Sequence, residues 1–296
     1  MRAPIPQGAA VLMLLGIATT FGSNHVAARL AFDHGASVAT AVGVRSGMTA
    51  LVLLALLRLQ NVPVAMSRGT LARALFVGLL VAVQSFCLYS AVARIPVALA
   101  LLCFSSCPVL YVLLSWLTGK DRPPRVALFA APIALVGLAF ALDVHFNDLG
   151  ERWTQIGVGA SFAFAAALCF AFVMYFNVHW LKALDGRLRT FIMMGVTAAV
   201  VLSAGALSHG LALPGDGKGW LGLALLTLLY GSAITVLFML LPRIEGTAAT
   251  IGLNFEPIAV LALAWIFLGQ AVKPLQIVGA FLVVGAIAWL GAAKRA

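Results

Sequence analysis

Residues 94–116 read RIPVALALLCFSSCPVLYVLLSW, and residues 243–265 read RIEGTAATIGLNFEPIAVLALAW. Set over one another at a shift of 149, they align Arg94-Ile95 with Arg243-Ile244, Pro108 with Pro257, and Trp116 with Trp265. After one slip, a shift of 148 aligns Val136-Gly137 with Val284-Gly285 and Leu142 with Leu290. Alanine and leucine match by chance in an apolar chain, whereas Arg, Pro, Trp and Gly at fixed spacing are hard to imitate. The chain is therefore read as two repeats, residues 1–149 and 150–296.

The composition around this repeat excludes a water-soluble fold. Apolar residues fill 63% of the 296 positions and charged ones 9%, against roughly 25% charged in a soluble domain. Disorder, collagen and disulfide scaffolds need a polar excess, a Gly-X-Y period or dense cysteine, which this sequence lacks. Apolar runs fall near 8–30, 36–57, 71–92, 97–117, 125–142, 156–178, 190–208, 219–241, 247–268 and 275–292. Ten helical spans of about 20 residues would use roughly 200 positions and leave under about ten for each loop or tail, so no sizeable soluble domain fits. Ala198–Leu202 is continuously apolar and Leu221–Leu229 is so but for Thr227, unlike the alternating strands of a membrane barrel. The first run is longer than the hydrophobic core of a signal peptide and is read as a span. The expected fold is an all-α polytopic membrane protein with ten transmembrane helices.

A net charge of +10 would point to nucleic acid in a soluble protein, but here its distribution between loops matters more. With the N-terminus inside, thirteen Lys and Arg lie on the inner side and five on the outer (Arg29, Arg94, Arg152, Lys218, Lys273), while Arg45 falls inside the second span. The positive-inside rule then places both termini in the cytoplasm. Because each repeat holds five spans, an odd number, the second must enter the membrane from the opposite side to the first. Two inverted five-helix repeats characterise secondary transporters, whose halves exchange conformations around a midplane site.

Phe21-Gly22-Ser23-Asn24, Arg45 in the second span, Leu88 to Lys120 with Pro108 and Gly119, and Asn254-Phe255-Glu256-Pro257 together resemble motifs of the drug/metabolite transporter superfamily. The similarity is to its EamA-type ten-helix members and spans nearly the whole chain. Lys120-Asp121-Arg122 and Gly269-Gln270 stand where that family usually carries Gly-Glu motifs, which departs from its pattern. The resemblance implies alternating-access export of amino acids and related small metabolites across the bacterial inner membrane. Other metabolites or drugs are the alternative cargo.

Glu256 lies near mid-span, where an ionised carboxylate costs on the order of 3 kcal/mol. It is either a proton or substrate-ammonium site, because carboxyls removed from water exchange protons nearer neutrality, or a packing element held by a cation or hydrogen bonds. Pro257 and Pro108 free the carbonyls four residues back, those of Leu253 and Phe104. With Asn254, Ser105 and Ser106 nearby, these can accept from a substrate ammonium, or the prolines act as kinks and hinges. Arg45 sits between Gly43 and Gly47, a spacing that permits close helix approach. It is read as a carboxylate anchor, as the counter-ion of Glu256, or as a structural element, either tethered to backbone carbonyls or snorkelling inward. Thr20, Asn24, Gln84, Tyr89, Tyr111, Tyr175, Tyr230 and Ser232 complete the candidate cavity lining, each with helix-packing glue as its competing role. His25 and Asn177, placed near span ends, receive no chemistry.

Cys87, Cys103, Cys107 and Cys169 all lie in spans without His or acidic companions, so they read as packing residues and no metal is expected. No phosphate-binding loop, HExxH or GxSxG pattern occurs. An intramembrane enzyme acting on lipid-linked substrates would need a convergent nucleophile and base; the reading is accordingly not an enzyme and without cofactor. The expected partners are a small-molecule substrate and the lipid bilayer, with no nucleic acid, and the protein is expected to act as a monomer.

Overall fold

A computed structural model of the chain describes residues 7–119, 129, 130, 132–134, 136, 137, 140, 149–240, 256–270 and 273–293. Among the described residues all regular structure is helical. In chain order the helices are α1 (Gln7–Asp33), α2 (Val38–Leu59), α3 (Arg68–Arg94), α4 (Val97–Phe104), α5 (Cys107–Leu117), α6 (Leu149–Trp180), α7 (Gly186–Leu207), α8 (Gly217–Leu240), α9 (Glu256–Leu268) and α10 (Pro274–Ala293). Described positions between 129 and 140 are also helical. Among the described residues, six segments are long and apolar enough to cross a membrane: Val38–Leu59, Arg68–Arg94, Val97–Leu117, Ile156–Trp180, Gly186–Leu207 and Gly217–Leu237. Glu256–Leu268 and Pro274–Ala286 are shorter apolar helices. Arg243-Ile244, Leu253 and Asn254, which the sequence reading used, lie outside the described residues.

Helix ends follow local chemistry. Ser37 and Ser67 cap α2 and α3 by accepting from the Thr40 and Thr70 N–H groups, each at 3.1 Å. Asp185 accepts from Arg187 N at 2.8 Å, and Asp216 from Gly219 N at 2.9 Å, doing the same for α7 and α8. α5 and α9 run out at Gly119 and Gly269, whose φ values of +67° and +61° suit glycine after a helix C-terminus.

The expected fourth span, 97–117, is interrupted. α4 stops at Phe104 and α5 starts at Cys107, with Pro108 in its first turn. Proline has no N–H for the Phe104 carbonyl and its ring crowds that oxygen, so the ladder breaks there. The Ser105 and Ser106 hydroxyls turn back onto the Leu101 and Cys103 carbonyls, both at 2.8 Å.

The helices of one half pack chiefly on those of the other. Along α2 and α7, Ala39 faces Gly205, Gly43 faces Leu202 and Gly47 faces Ala198, so these helices run antiparallel. Along α1 and α8, Gly222 lies against Ala27 and Ala31, and Phe21 against Tyr230, again antiparallel. Along α3 and α6, Ile95 meets Gly159 and Phe76 meets Phe176, in the same sense. α1 and α3 run parallel, since Asn24 reaches Tyr89 while Arg29 reaches the carbonyls of Val92 and Ile95 at the end of α3. It follows that α1 and α6, the first helices of the two halves, point in opposite directions. Exchanging the halves maps α1 on α8 onto α6 on α3, and leaves α2 on α7 unchanged.

Glycine sets the closeness of these seams. A Cβ on Gly222 would come within 2.7 Å of the Ala31 nitrogen and 2.9 Å of the Ala27 oxygen, both backbone atoms that cannot step aside. Gly222→Val is expected to lower stability by roughly 2–3 kcal/mol through overpacking. Thermal melting in detergent checks this, and an unchanged midpoint would mean that α1 and α8 do not approach so closely.

Two loop contacts tie the halves at the ends of the bundle. The α1–α2 loop meets the α7–α8 loop through Ser37 N to Ala212 O at 3.0 Å, Gly215 N to His34 O at 2.9 Å, and the His34 Nδ1–Asp216 Oδ2 pair at 2.7 Å. The Asp216 carboxyl is held below the ordinary aspartate range, chiefly by the Gly219 N–H, with His34 adding to the effect. At the other end Arg187 Nη1 donates to Gln60 Oε1.

Candidate functional site

A buried polar assembly lies where α1, α2, α3, α8 and α9 meet. Its centre is Tyr89 of α3, only 1% exposed. The Tyr89 Oη accepts from the Asn24 amide at 2.9 Å and from Arg45 Nη1 at 2.9 Å. Its own proton faces Asn24 Oδ1 at 3.3 Å. Arg45 Nη2 donates to Ser85 Oγ at 3.3 Å, and the Ser85 hydroxyl donates to Gln84 Oε1 at 3.3 Å. Charge-assisted bonds of this kind gain strength away from water.

The Arg45 guanidinium is 2% exposed and lies between two aromatic faces. Its carbon is 4.7 Å from the Tyr89 ring centroid and 3.9 Å from that of Tyr230. Such contacts offset part of the cost of burying the cation. The small side chains expected beside Arg45 explain how it reaches this depth, because Gly43 and Gly47 admit α7 on the other flank of α2.

Glu256, at the start of α9, pairs with His25 rather than with Arg45: His25 Nε2 is 3.3 Å from Glu256 Oε1. This corrects the counter-ion reading of Arg45, whose cation is spent on Tyr89, Ser85 and the two rings. It also corrects the tether reading, since the guanidinium partners are side chains and not backbone carbonyls. The reason for the pairing is Gly22. A Cβ there would lie 3.0 Å from Val260 Cγ2, so the missing side chain lets α9 approach α1 one turn below His25.

The sequence places His25 near a span end, whereas α1 continues to Asp33 and His25 lies within it at 6% exposure. The signal was present in Asp33-His34-Gly35, where Gly35 takes φ +95° and ends the helix. Among the described residues, three buried polar atoms on α1 and α2 have no hydrogen-bond partner: His25 Nδ1, Arg45 Nε and Ser46 Oγ. Such atoms are costly unless something else completes them.

The structure thus brings together Asn24, Arg45, Gln84, Tyr89, Tyr230 and, through His25, Glu256. Other candidates sit elsewhere. Thr20 and Ser232 line a recess of about 430 Å³ between α1 and α8, with their hydroxyls bonded to the Gly16 and Leu229 carbonyls of their own helices. Tyr175 stacks on His179 with centroids 4.2 Å apart. Tyr111 packs with Cys107, Ala167 and Ala171 between α5 and α6. Ser106 and Pro108 belong to the α4–α5 break, and Pro257 is the second residue of α9. Gln270 accepts from Val97 N at 3.2 Å, so its amide caps the start of α4.

The sequence profile described as "EamA-like transporter family" matches the chain twice, over residues 8–142 and 157–292. No curated protein matches it. A solved structure described as "Crystal structure of protein" is similar in fold, with a TM-score of 0.63 at 18% identity over 98% of this chain and 99% of that one. The paired matches, one in each half and together covering nearly all of an all-helical, multi-span chain, show that it belongs to the EamA-like transporter family.

Proposed function

We propose that the protein is a secondary transporter that exports amino acids and related small metabolites across the bacterial inner membrane. In this reading ten transmembrane helices form two inverted five-helix repeats, residues 1–149 and 150–296, with both termini cytoplasmic. The opposite directions of α1 and α6 and the antiparallel α2–α7 seam support the inversion. An inverted pair can open a shared site to each side in turn.

The observation that carries the reading is the buried Arg45–Tyr89–Asn24 network beside the His25–Glu256 pair, whose carboxylate is partly exposed, at the junction of the halves. A cation and a carboxylate held there on separate partners offer complementary groups to a zwitterion. A solute bringing its own carboxylate would complete Arg45 Nε, and one bringing an ammonium would find Glu256. The break at Ser105-Ser106 supports a hinge at Pro108 in the first repeat, with Pro257 as its counterpart.

Purified protein in liposomes preloaded with unlabelled amino acids should accumulate labelled ones by counterflow. A panel run with and without a proton gradient checks this. Exchange of other metabolites but of no amino acid would change the substrate class, and no exchange of any solute would overturn the transport reading.

A further inference from the structure

The seam between α1 and α8 presents three layers in order. The first is the recess of about 430 Å³ walled by Met13, Ile17, Thr20, Ser232, Ala233 and Val236. Next come Phe21 and Tyr230, edge to face with ring centroids 5.9 Å apart. Behind them lies the Arg45 guanidinium, over which the Tyr230 ring sits at 3.9 Å. Thr20 and Asn24 are one helical turn apart, so one stripe of α1 leads from the recess to the buried network.

Tyr230 is poorly anchored for a residue in that position. Among the described residues its hydroxyl reaches only the Met194 sulfur, at 3.7 Å, and its side chain is half-buried while Arg45 is sealed. A thioether is a weak acceptor, so the ring is retained by the cation and by Phe21, both contacts that a rotation would exchange for others. Behind the ring, Arg45 Nε is a buried donor with no acceptor among the described residues.

We propose that Phe21 and Tyr230 form an aromatic gate between the α1–α8 recess and Arg45, and that the gate admits solutes joining an apolar body to a carboxylate. The proposal rests on the transporter reading for its cargo, but the gate can be tested without transport. The apolar walls of the recess receive the body, and displacement of Tyr230 lets the carboxylate take up the Nε donor. Thr20 and Ser232 are already satisfied by their own helices, so the walls make few polar demands on the body.

The test places a thiol behind the gate. Ser85→Cys, which substitutes the residue touching Arg45, is made in a background with Cys87, Cys103, Cys107 and Cys169 replaced by alanine. A membrane-impermeant methanethiosulfonate reagent is applied in proteoliposomes to the face that carries the N-terminus. With Tyr230 present, labelling should be slow; with Tyr230→Ala it should be faster by roughly tenfold, the weight of one desolvated cation–ring contact. Tyr230→Phe, which keeps the ring, should label as slowly as the parent. Circular dichroism and monodispersity of each variant confirm folding, and Tyr230→Leu serves in place of alanine if that variant fails. Equal labelling with and without the ring, or acceleration only from the opposite face, would overturn the gate. In Tyr230→Ala, leucine and phenylalanine should slow labelling and their carboxamides should not; equal protection by acids and amides, or protection by neither, would overturn the carboxylate assignment. Ring-dependent labelling without transport of any solute would leave the gate standing and remove the transporter reading instead.

Discussion

Arg45→Lys is expected to reduce counterflow about 100-fold, the loss of one to two charge-assisted hydrogen bonds at roughly 1.5–3 kcal/mol each. Lysine keeps the charge but not the fork. Two different terminal nitrogens of Arg45 reach Tyr89 Oη and Ser85 Oγ, while the plane of the same group lies against the Tyr230 ring. A single ammonium cannot serve both oxygens and stack on the ring. Arg45→Leu should lose transport altogether and also lower the yield of folded protein, because Tyr89 and Ser85 then surrender a partner in a closed space. The lysine variant separates the roles. Wild-type turnover in Arg45→Lys would show that only a positive charge is needed at this depth.

Glu256→Gln is expected to erase the response of transport to a proton gradient while changing stability by no more than about 1 kcal/mol. Glutamine retains an oxygen that can accept from His25 Nε2, so the contact survives and the ionisable group does not. In the present arrangement His25 uses one ring nitrogen on Glu256, and among the described residues its Nδ1 has no partner. Initial rates with and without an imposed gradient, in wild type and variant, provide the measurement. A variant that still follows the gradient would reduce the His25–Glu256 contact to packing.

Much of the scaffold was legible because apolar length and helix punctuation are local. The α2, α3, α6, α7 and α8 spans lie within a few residues of the apolar runs, except that α6 starts earlier at Leu149. Glycine and serine at the ends mark boundaries through backbone chemistry that a sequence displays. The break at Ser105 was only half legible: Pro108 signals a freed carbonyl, but whether a helix bends or stops depends on what packs around it. Partner choice was not legible at all. Arg45 and Glu256 are the obvious opposite charges, yet Tyr89 and His25 intervene because Gly22 sets where α9 crosses α1, and that is a property of two surfaces rather than of either segment. Thr20 and Ser232 do line a recess, but their hydroxyls bond back to carbonyls of their own helices, a local habit of threonine and serine that a sequence does not separate from cavity lining.

The loop contacts at the two ends of the α2–α7 seam have a mechanical corollary. Ser37 and His34 fasten one end to Ala212, Gly215 and Asp216, and Gln60 fastens the other to Arg187. Pinned above and below, and meshed at Gly43 and Gly205 between the pins, this pair cannot slip lengthwise without tearing a fastening. On the transporter proposed above, a swing of the halves would turn about this pair, and the travel would fall to the outlying helices, where helix α4 already gives way to α5 at Ser105-Ser106.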